Sequence, residues 1–503
     1  MLRQACAVLV LAASAVSLSA ADQAPSLSER SYTQARAVLD RAVEANGGAE
    51  ALRAIKAVRL NLEGDTFPRL QMTTPEPPFE GGRLSETVLF DLEQNRLRLD
   101  QKTTGFGFEG NATITISGGQ GATYDHRART TTPIPAAQSS QQQFIQYYRR
   151  LPSLLLLQAL QRTTSLRYLG EDNFEGRKHE VVTFVMPDAV QVAMFVDSGT
   201  NLVSKYELLF VDPFTGDEAS EILYGAYTKV GPYQVPTTFT NVQAGDAVTK
   251  AKMKAEINPA LSDALFTVKA KDYKAVDPVP QNLEQRVETL ATGVHVVHNI
   301  AGQNQNTLIV EFADHIVAVE APGSSDGSDA VIKRVKELIP GKPIRYIAMT
   351  HHHGDHIGGL RSYIAEGASV ITTPGNRGVV ERTAAAPQND RLRREPKPAQ
   401  ILTIEKGKRV LSDATRRLEL IDIGPNPHAR EMVVAWLPNE RVLFQGDLFF
   451  VPANNAPFGP PQPTTVAFAK KLKKLGLPVE RIASVHGATA TIAQFNEATA
   501  GVR

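Results

Sequence analysis

The feature that most constrains the fold is a change of texture at Asp277-Pro278-Val279-Pro280-Gln281, a proline-punctuated polar linker. Before it, apolar residues alternate at strand spacing over 58–62, 88–92, 96–99, 112–116, 180–185, 190–196 and 203–210. Turn-forming runs such as Gly118-Gly119, Asp197-Ser198-Gly199 and Pro213-Phe214-Thr215-Gly216 separate these segments. After it, short apolar strands (294–297, 307–312, 316–320 and 344–349) are interleaved with helical periodicity, as over 328–338. The first texture predicts a mostly antiparallel sheet, the second an α/β architecture.

Helical spacing of Tyr32, Ala35, Leu39, Ala42 and Val43 predicts one amphipathic helix over 28–45, stopped at Gly47-Gly48. A leucine-rich stretch, 144–160, predicts a helix covering one sheet face, broken or restarted at Pro152. The expected organisation is α+β: a signal segment over 1–21, a β-rich domain with helices over 22–276, a linker over 277–284 and a second domain over 285–503. A chain of 503 residues is long enough to build large cores without disulfide staples.

The signal segment rests on Arg3 as its positive start, an apolar run over 5–18, and small residues at Ser19-Ala20-Ala21 for cleavage. Cys6, the sole cysteine, lies inside that run and would be lost with it. The mature chain would then be thiol-free with a formal charge of zero, which fits a periplasmic or secreted protein. No later segment reaches the roughly 18 apolar residues of a membrane helix. Lys plus Arg is 54 against Asp plus Glu 53, so no charge imbalance points to nucleic acid.

The chemistry concentrates after strand 344–349, in Thr350-His351-His352-His353-Gly354-Asp355-His356-Ile357-Gly358-Gly359. In an extended strand end, residues two apart point the same way, so His351 and His353 can serve one metal ion. Asp355 and His356, past Gly354, can face a second, and the glycines that follow let the chain turn into the next helix. His428 follows strand 418–423, Asp447 ends 442–446, and His486 caps 482–485. Each therefore lies at the end of an apolar strand, the edge where ligands collect in α/β sheets. Five of the eleven histidines belong to this set. His126, His179, His295, His298 and His315 fall outside it and read as structural; His352, at the alternate position, reads as outward-pointing and non-ligating.

His351-x-His353-x-Asp355-His356, followed by His428, Asp447 and His486 in that order, resembles the metallo-β-lactamase superfamily over approximately 285–503. The resemblance implies an αββα sandwich with a dinuclear site at one edge. It assigns His351, His353 and His428 to one metal, Asp355, His356 and His486 to the other, and Asp447 to the bridge. Branches that use a cysteine ligand are excluded by the thiol-free chain; the bridging Asp447 looks more like the glyoxalase II, lactonase and phosphodiesterase branches. The loop Gly424-Pro425-Asn426-Pro427-His428 departs from the commoner form with a glycine directly before the histidine. The N-terminal half resembles the LolA-like lipoprotein-carrier fold in the helix end Asn46-Gly47-Gly48, the strand end Tyr168-Leu169-Gly170, the run 235–239 and the closing stretch from Ile257-Asn258-Pro259 to Phe266.

Imidazole and carboxylate ligands without thiolate suit two divalent cations, zinc by default, with iron or manganese tolerated. Two such cations carry +4 against −2 from Asp355 and Asp447, enough excess to lower the pKa of a shared water toward about 7. The resulting hydroxide would attack an ester, thioester, lactone or amide, with Asp355 as the catalytic carboxylate that orients the water and accepts its proton. Glu320, at the end of strand 316–320, either orients a ligand histidine or is a plain surface carboxylate. The expected partner is a small-molecule substrate, acylated or apolar. Two further readings stay open on the residues alone. One is an iron-dependent oxidoreductase of the same superfamily; the other is a lipid-binding protein whose metal domain is accessory.

Overall fold

A computed structural model of the chain describes residues 24–135, 147–212, 215–280 and 282–502. The signal segment over 1–21 and residues 144–146 of the leucine-rich stretch lie outside the described residues.

The opening helix runs Leu27–Ala45 and is nucleated by a capping box: Glu29 N–H donates to Ser26 Oγ, and Ser26 N–H to the Glu29 carboxylate. Its buried face is Ala35, Val38, Leu39, Ala42 and Val43, the predicted stripe with Val38 added and Tyr32 only half-buried at its end. Gly47-Gly48 interrupts the helix, but a second short one, Gly48–Arg53, follows at once. The leucine-rich stretch forms a helix over Pro152–Gln161, so the proline starts it at a position where a missing N–H costs nothing. These helices pack on one face of a fourteen-stranded sheet, in a core that includes Leu60, Leu62, Phe90, Leu97, Leu155 and Phe184.

From one edge, the strands are Lys274–Ala275, Thr130–Ile134, Gln120–Asp125, Phe108–Ser117, Arg96–Gly105, Gly82–Asp91 and Ala57–Thr66. They continue with Asp246–Ile257, Tyr233–Gln243, Gly216–Val230, Val203–Asp212, Gln191–Asp197, Arg177–Val185 and Arg167–Phe174. Every neighbouring pair is antiparallel except the first, Lys274–Ala275 on Thr130–Ile134. Sequence reading left out several of these strands although period-two alternation is present. In Asp246–Ile257 the exposed Lys250, Lys252 and Lys254 alternate with the buried Ala251, Met253 and Ala255.

Two further sheets face one another. One has the order Arg286–Ala291, Val294–His298, Thr307–Glu311, Ile316–Val319, Ile344–Ala348, Ser369–Thr372 and Ile401–Thr403. The other has Lys408–Ser412, Arg417–Asp422, Val433–Leu437, Val442–Gln445, Arg481–Ser484 and Ala490–Thr491. Both faces of each sheet are covered, and the pleat sorts side chains between them. Val317 and Val319 join Leu420, Ala435 and Phe444 in the core between the sheets. Ile316 and Ala318, on the opposite face, meet Val331, Ile332 and Val335 of the helix Ser325–Leu338. Val434, Trp436 and Leu443 likewise turn outward to Phe468 and Leu472 of the helix Pro463–Leu475. The result is helix, sheet, sheet, helix, the predicted αββα sandwich. The helix Ser325–Leu338 begins three residues before its predicted start, because Ser324 caps it by accepting from Gly327 N–H.

One connection departs from hairpin geometry. Residues 67–81, between the strands Ala57–Thr66 and Gly82–Asp91, far exceed the roughly two to five residues of a usual hairpin loop. This strap leaves its own sheet and lies against the sandwich: Gly354 N–H donates to Leu70 O and Arg430 N–H to Thr73 O, both at 2.8 Å. The hairpin tip at 105–108 also reaches the sandwich, where Thr464 N–H donates to Gly107 O at 3.0 Å.

Candidate metal centre

The seven residues singled out in the sequence converge at one edge of the sandwich in two groups that share Asp447. One donor atom each from His351, His353, His428 and Asp447 lie within 4.8 Å of one another, and the same holds for Asp355, His356, Asp447 and His486. Asp447 Oδ2 is 3.2 Å from His428 Nε2 and 3.3 Å from His356 Nε2, while its Oδ1 is 3.4 Å from His486 Nε2. Each carboxylate or imidazole enters from beyond a strand end, as the spacing predicted: His351 and His353 after Ile344–Ala348, Asp447 after Val442–Gln445, His486 after Arg481–Ser484. Asp355 and His356 sit on a single helical turn, Gly354–Ile357.

Hydrogen bonds select which ring nitrogen faces inward, because a nitrogen that donates to a carbonyl leaves the other as a bare lone pair. His353 Nε2 donates to Met72 O at 2.8 Å, His428 Nδ1 to Phe106 O at 2.7 Å and His486 Nδ1 to Asn304 O at 2.8 Å. His356 Nδ1 pairs with Glu320, and His351 Nδ1 with Thr350 Oγ1. Three buried atoms at the centre, His353 Nδ1, His356 Nε2 and Asp447 Oδ1, are then left without a hydrogen-bond partner among the described residues. Buried polar atoms carry a large penalty if unmatched, so this nitrogen- and oxygen-only cage fits a divalent metal ion.

The electrostatics agree with that fit. Burial and the facing imidazoles hold His351 and His353 well below the ordinary histidine range, in the neutral form a cation needs. Burial also opposes a charge on His356, but Asp355, Asp447 and Glu320 override it and draw a positive charge to that position. Asp447 is held well below the usual carboxylate range: burial works against its charge, and His356, His428 and His486 overcome it.

Glu320 is no surface carboxylate. It is fully buried, with φ +79°, accepts from Thr350 N–H at 2.6 Å, and holds His356 with its other oxygen. A non-glycine residue in that backbone region is a strained conformation kept by its surroundings. His352 turns away from the cage as expected, but not outward. It is buried under the strap, beside Leu70 and Met72 in a cavity of about 470 Å³, and burial pushes its pKa down to about 4. Gly358 and Gly359 are required by contact rather than by a turn. A Cβ on Gly358 would lie 2.0 Å from Gly323 O, and one on Gly359 1.9 Å from Ser328 Oγ.

The other histidines have structural partners: His126 with Thr113 and Tyr273, His179 with Ser204, His295 with Thr289, His298 with Glu288 and His315 with Asp314. The unusual loop before His428 is held by Asn426, whose Oδ1 accepts from His428 N–H at 2.9 Å and from Thr464 Oγ1 at 2.8 Å. Sequence reasoning missed Asn426, Gln71 and the two N-terminal carbonyls. Gln71 Nε2 donates to Asp355 Oδ1 at 2.6 Å. The one available signal was the long Thr- and Pro-rich gap at 73–78 between two strand patterns.

Over the cage, Phe108 from the N-terminal sheet stacks on Phe450 from the sandwich, 6.0 Å between centroids. Phe108 meets His428 edge-on at 5.2 Å and Phe450 approaches His486 at 5.8 Å, so the pair spans both groups.

Residues 322–486 match the family model described as the metallo-beta-lactamase superfamily. Solved structures similar to the chain include the metallo-beta-lactamase FIM-1 from Pseudomonas aeruginosa in its mono-zinc form, at 22% identity over 44% of this chain and 96% of that one, with a TM-score of 0.33. A metallo beta lactamase from Hirschia baltica matches at 19% identity over 44% of this chain and 98% of its own, TM-score 0.33. DIM-1 metallo-beta-lactamase exposed to ceftazidime matches at 17% over 44% and 97%, TM-score 0.34. Residues 322–486 thus match the metallo-β-lactamase superfamily, and that match points to a metal-dependent hydrolase.

Proposed function

We propose that the chain is an exported dinuclear hydrolase that cleaves an ester, thioester, lactone or amide carrying an apolar group. The observation that carries the reading is the sharing of Asp447 by two donor sets, with one oxygen toward His428 and His356 and the other toward His486. When bound, two divalent cations, zinc by the donor chemistry, supply a nucleophile from water at neutral pH and offset the negative charge that develops on the attacked acyl group. Asp355 Oδ2 faces the same space, 3.2 Å from His486 Nε2, so it can orient that water and accept its proton. Phe108 and Phe450 form an apolar wall that excludes bulk water beside the cage. Phe449, Phe450, Phe458 and Pro457 continue it into an adjoining cavity of about 350 Å³, which suits an acyl or aromatic substituent.

The N-terminal half serves this site rather than carrying a lipid within its core. Among the described residues, the helix-covered face of its sheet is filled by Leu154, Leu155, Leu156 and their neighbours, all essentially inaccessible. Among the described residues, no helix is long and apolar enough to cross a membrane.

Removal of metal by a chelator should abolish activity, and added zinc should restore it. A panel of esters, thioesters, lactones, amides, β-lactams and phosphodiesters, compared between wild type and Asp355→Ala, tests the reaction. Undiminished turnover in the variant would refute it. Export is checked by the N-terminal sequence of protein from the periplasmic fraction, expected to begin just after Ala20-Ala21.

A further inference from the structure

We propose that Gln71 is a positioning residue for Asp355, and that the strap at 67–81 makes the N-terminal sheet a working part of the metal centre. The inference rests on the dinuclear reading above. The two oxygens of Asp355 have different neighbours: Oδ1 accepts from Gln71 Nε2 at 2.6 Å, while Oδ2 lies 3.2 Å from His486 Nε2 and 3.6 Å from His356 Nε2. Among the described residues, no other side chain donates to Oδ1. A carboxylate free to rotate about its last bond can offer a cation either oxygen or both. An amide donor fixed on one oxygen sets the plane of the group and leaves one oxygen for the cation.

Gln71 can do this because its own backbone is pinned on both sides. Leu70 O accepts from Gly354 N–H, Met72 O from His353 Nε2–H and Thr73 O from Arg430 N–H, each at 2.8 Å. Three carbonyls around one side chain are thus anchored to the cage residue His353 and to Gly354 and Arg430, which lie within two residues of cage residues in the chain. Leu70 adopts a left-handed φ of +52° within this contact, a strained conformation where strap meets sandwich. An ordinary surface glutamine would have none of these constraints and would donate to water. Among the described residues no side chain of the sandwich donates to this oxygen, so the strap supplies the donor it has.

The test is calorimetric titration of zinc into metal-free full-length wild type, Gln71→Met, Gln71→Glu and Leu70→Ala, with thermal unfolding of each metal-free protein. Gln71→Met keeps the length and loses the donor; Gln71→Glu keeps the shape and loses it too, and is read alone if the Met variant does not fold. Leu70→Ala disturbs the packing of the same strap without touching the amide. The expected result is a two-step wild-type isotherm in which the Gln71 variants weaken one step by roughly 10- to 100-fold and leave the other in place. Metal-free stability should be unchanged, and Leu70→Ala should keep both steps. Gln71 isotherms that superpose on wild type, or a loss of both steps matched by Leu70→Ala, would overturn the positioning role alone. A wild-type isotherm without two steps would overturn the dinuclear reading and the inference with it.

Discussion

The two donor groups have the same chemistry in different settings. The side chains of His351 and His353 are fully inaccessible and that of His428 nearly so, whereas Asp355 and His486 retain 30% and 23% exposure. The sealed group leans on the N-terminal sheet, through Met72 O and Phe106 O. The open group leans mainly on the sandwich, through Glu320 and Asn304, with Gln71 as its side-chain tie to the strap among the described residues. The difference gives the cage a sealed and an open side: Asp355 and His486 lie on the more exposed side, and the backbone of the N-terminal half covers His353 and His428. It also assigns dependence, because a donor set buried against another domain's backbone is only as rigid as that contact.

Asp447→Ala should have the largest effect, since it removes the residue common to both groups. Loss of both cations by elemental analysis and a fall in turnover on the order of 10³-fold are expected. Full retention of one cation with full activity would show that the groups are independent. Glu320→Ala should come next and act through the open group. It strands Thr350 N–H and His356 Nδ1–H in a buried site, so a loss of about 2–4 kcal/mol in urea unfolding is expected, with activity reduced roughly 10- to 100-fold. An unchanged unfolding midpoint would count against the buried pairing.

Gly107→Ala probes the sealed group. Gly107 has φ +79°, and a Cβ there would lie 3.0 Å from His428 N and 2.9 Å from Thr464 Cβ. A destabilisation of about 1–3 kcal/mol is expected, with zinc affinity falling in one binding step only. Equal losses in both steps would erase the distinction between the groups. Phe450→Ala should be the mildest, lowering kcat/KM by roughly tenfold or less for apolar substrates and leaving polar ones unaffected. A uniform loss across substrates would assign the ring to packing alone.

The convergence of the seven residues was legible because each is a residue type able to ligate metal, placed beyond an apolar strand, and strand ends converge at a sheet edge whatever the loops do. The sandwich was legible for a related reason: 316–319, 346–349 and 442–444 are continuous apolar runs, the pattern of strands buried on both faces. The strands Gln120–Asp125 and Thr130–Ile134 were not. Their residues are mostly half-buried or polar, so alternation leaves little hydrophobic signal. Glu320 was visible as a residue with two readings, but the choice between them was not, since nothing local distinguishes a buried carboxylate from a solvated one.

The sequence by itself determined which side chains meet at the sheet edge and the two architectures, because both follow from side-chain type and period. Only the tertiary structure decided which nitrogen of each histidine faces the cage, that Glu320 and Gln71 hold the second group, and that the N-terminal sheet closes the first. Those choices are made in large part by backbone carbonyls at Met72, Phe106 and Asn304. A carbonyl is the same in every residue, so where it ends up is set by chain path and leaves no mark in the sequence.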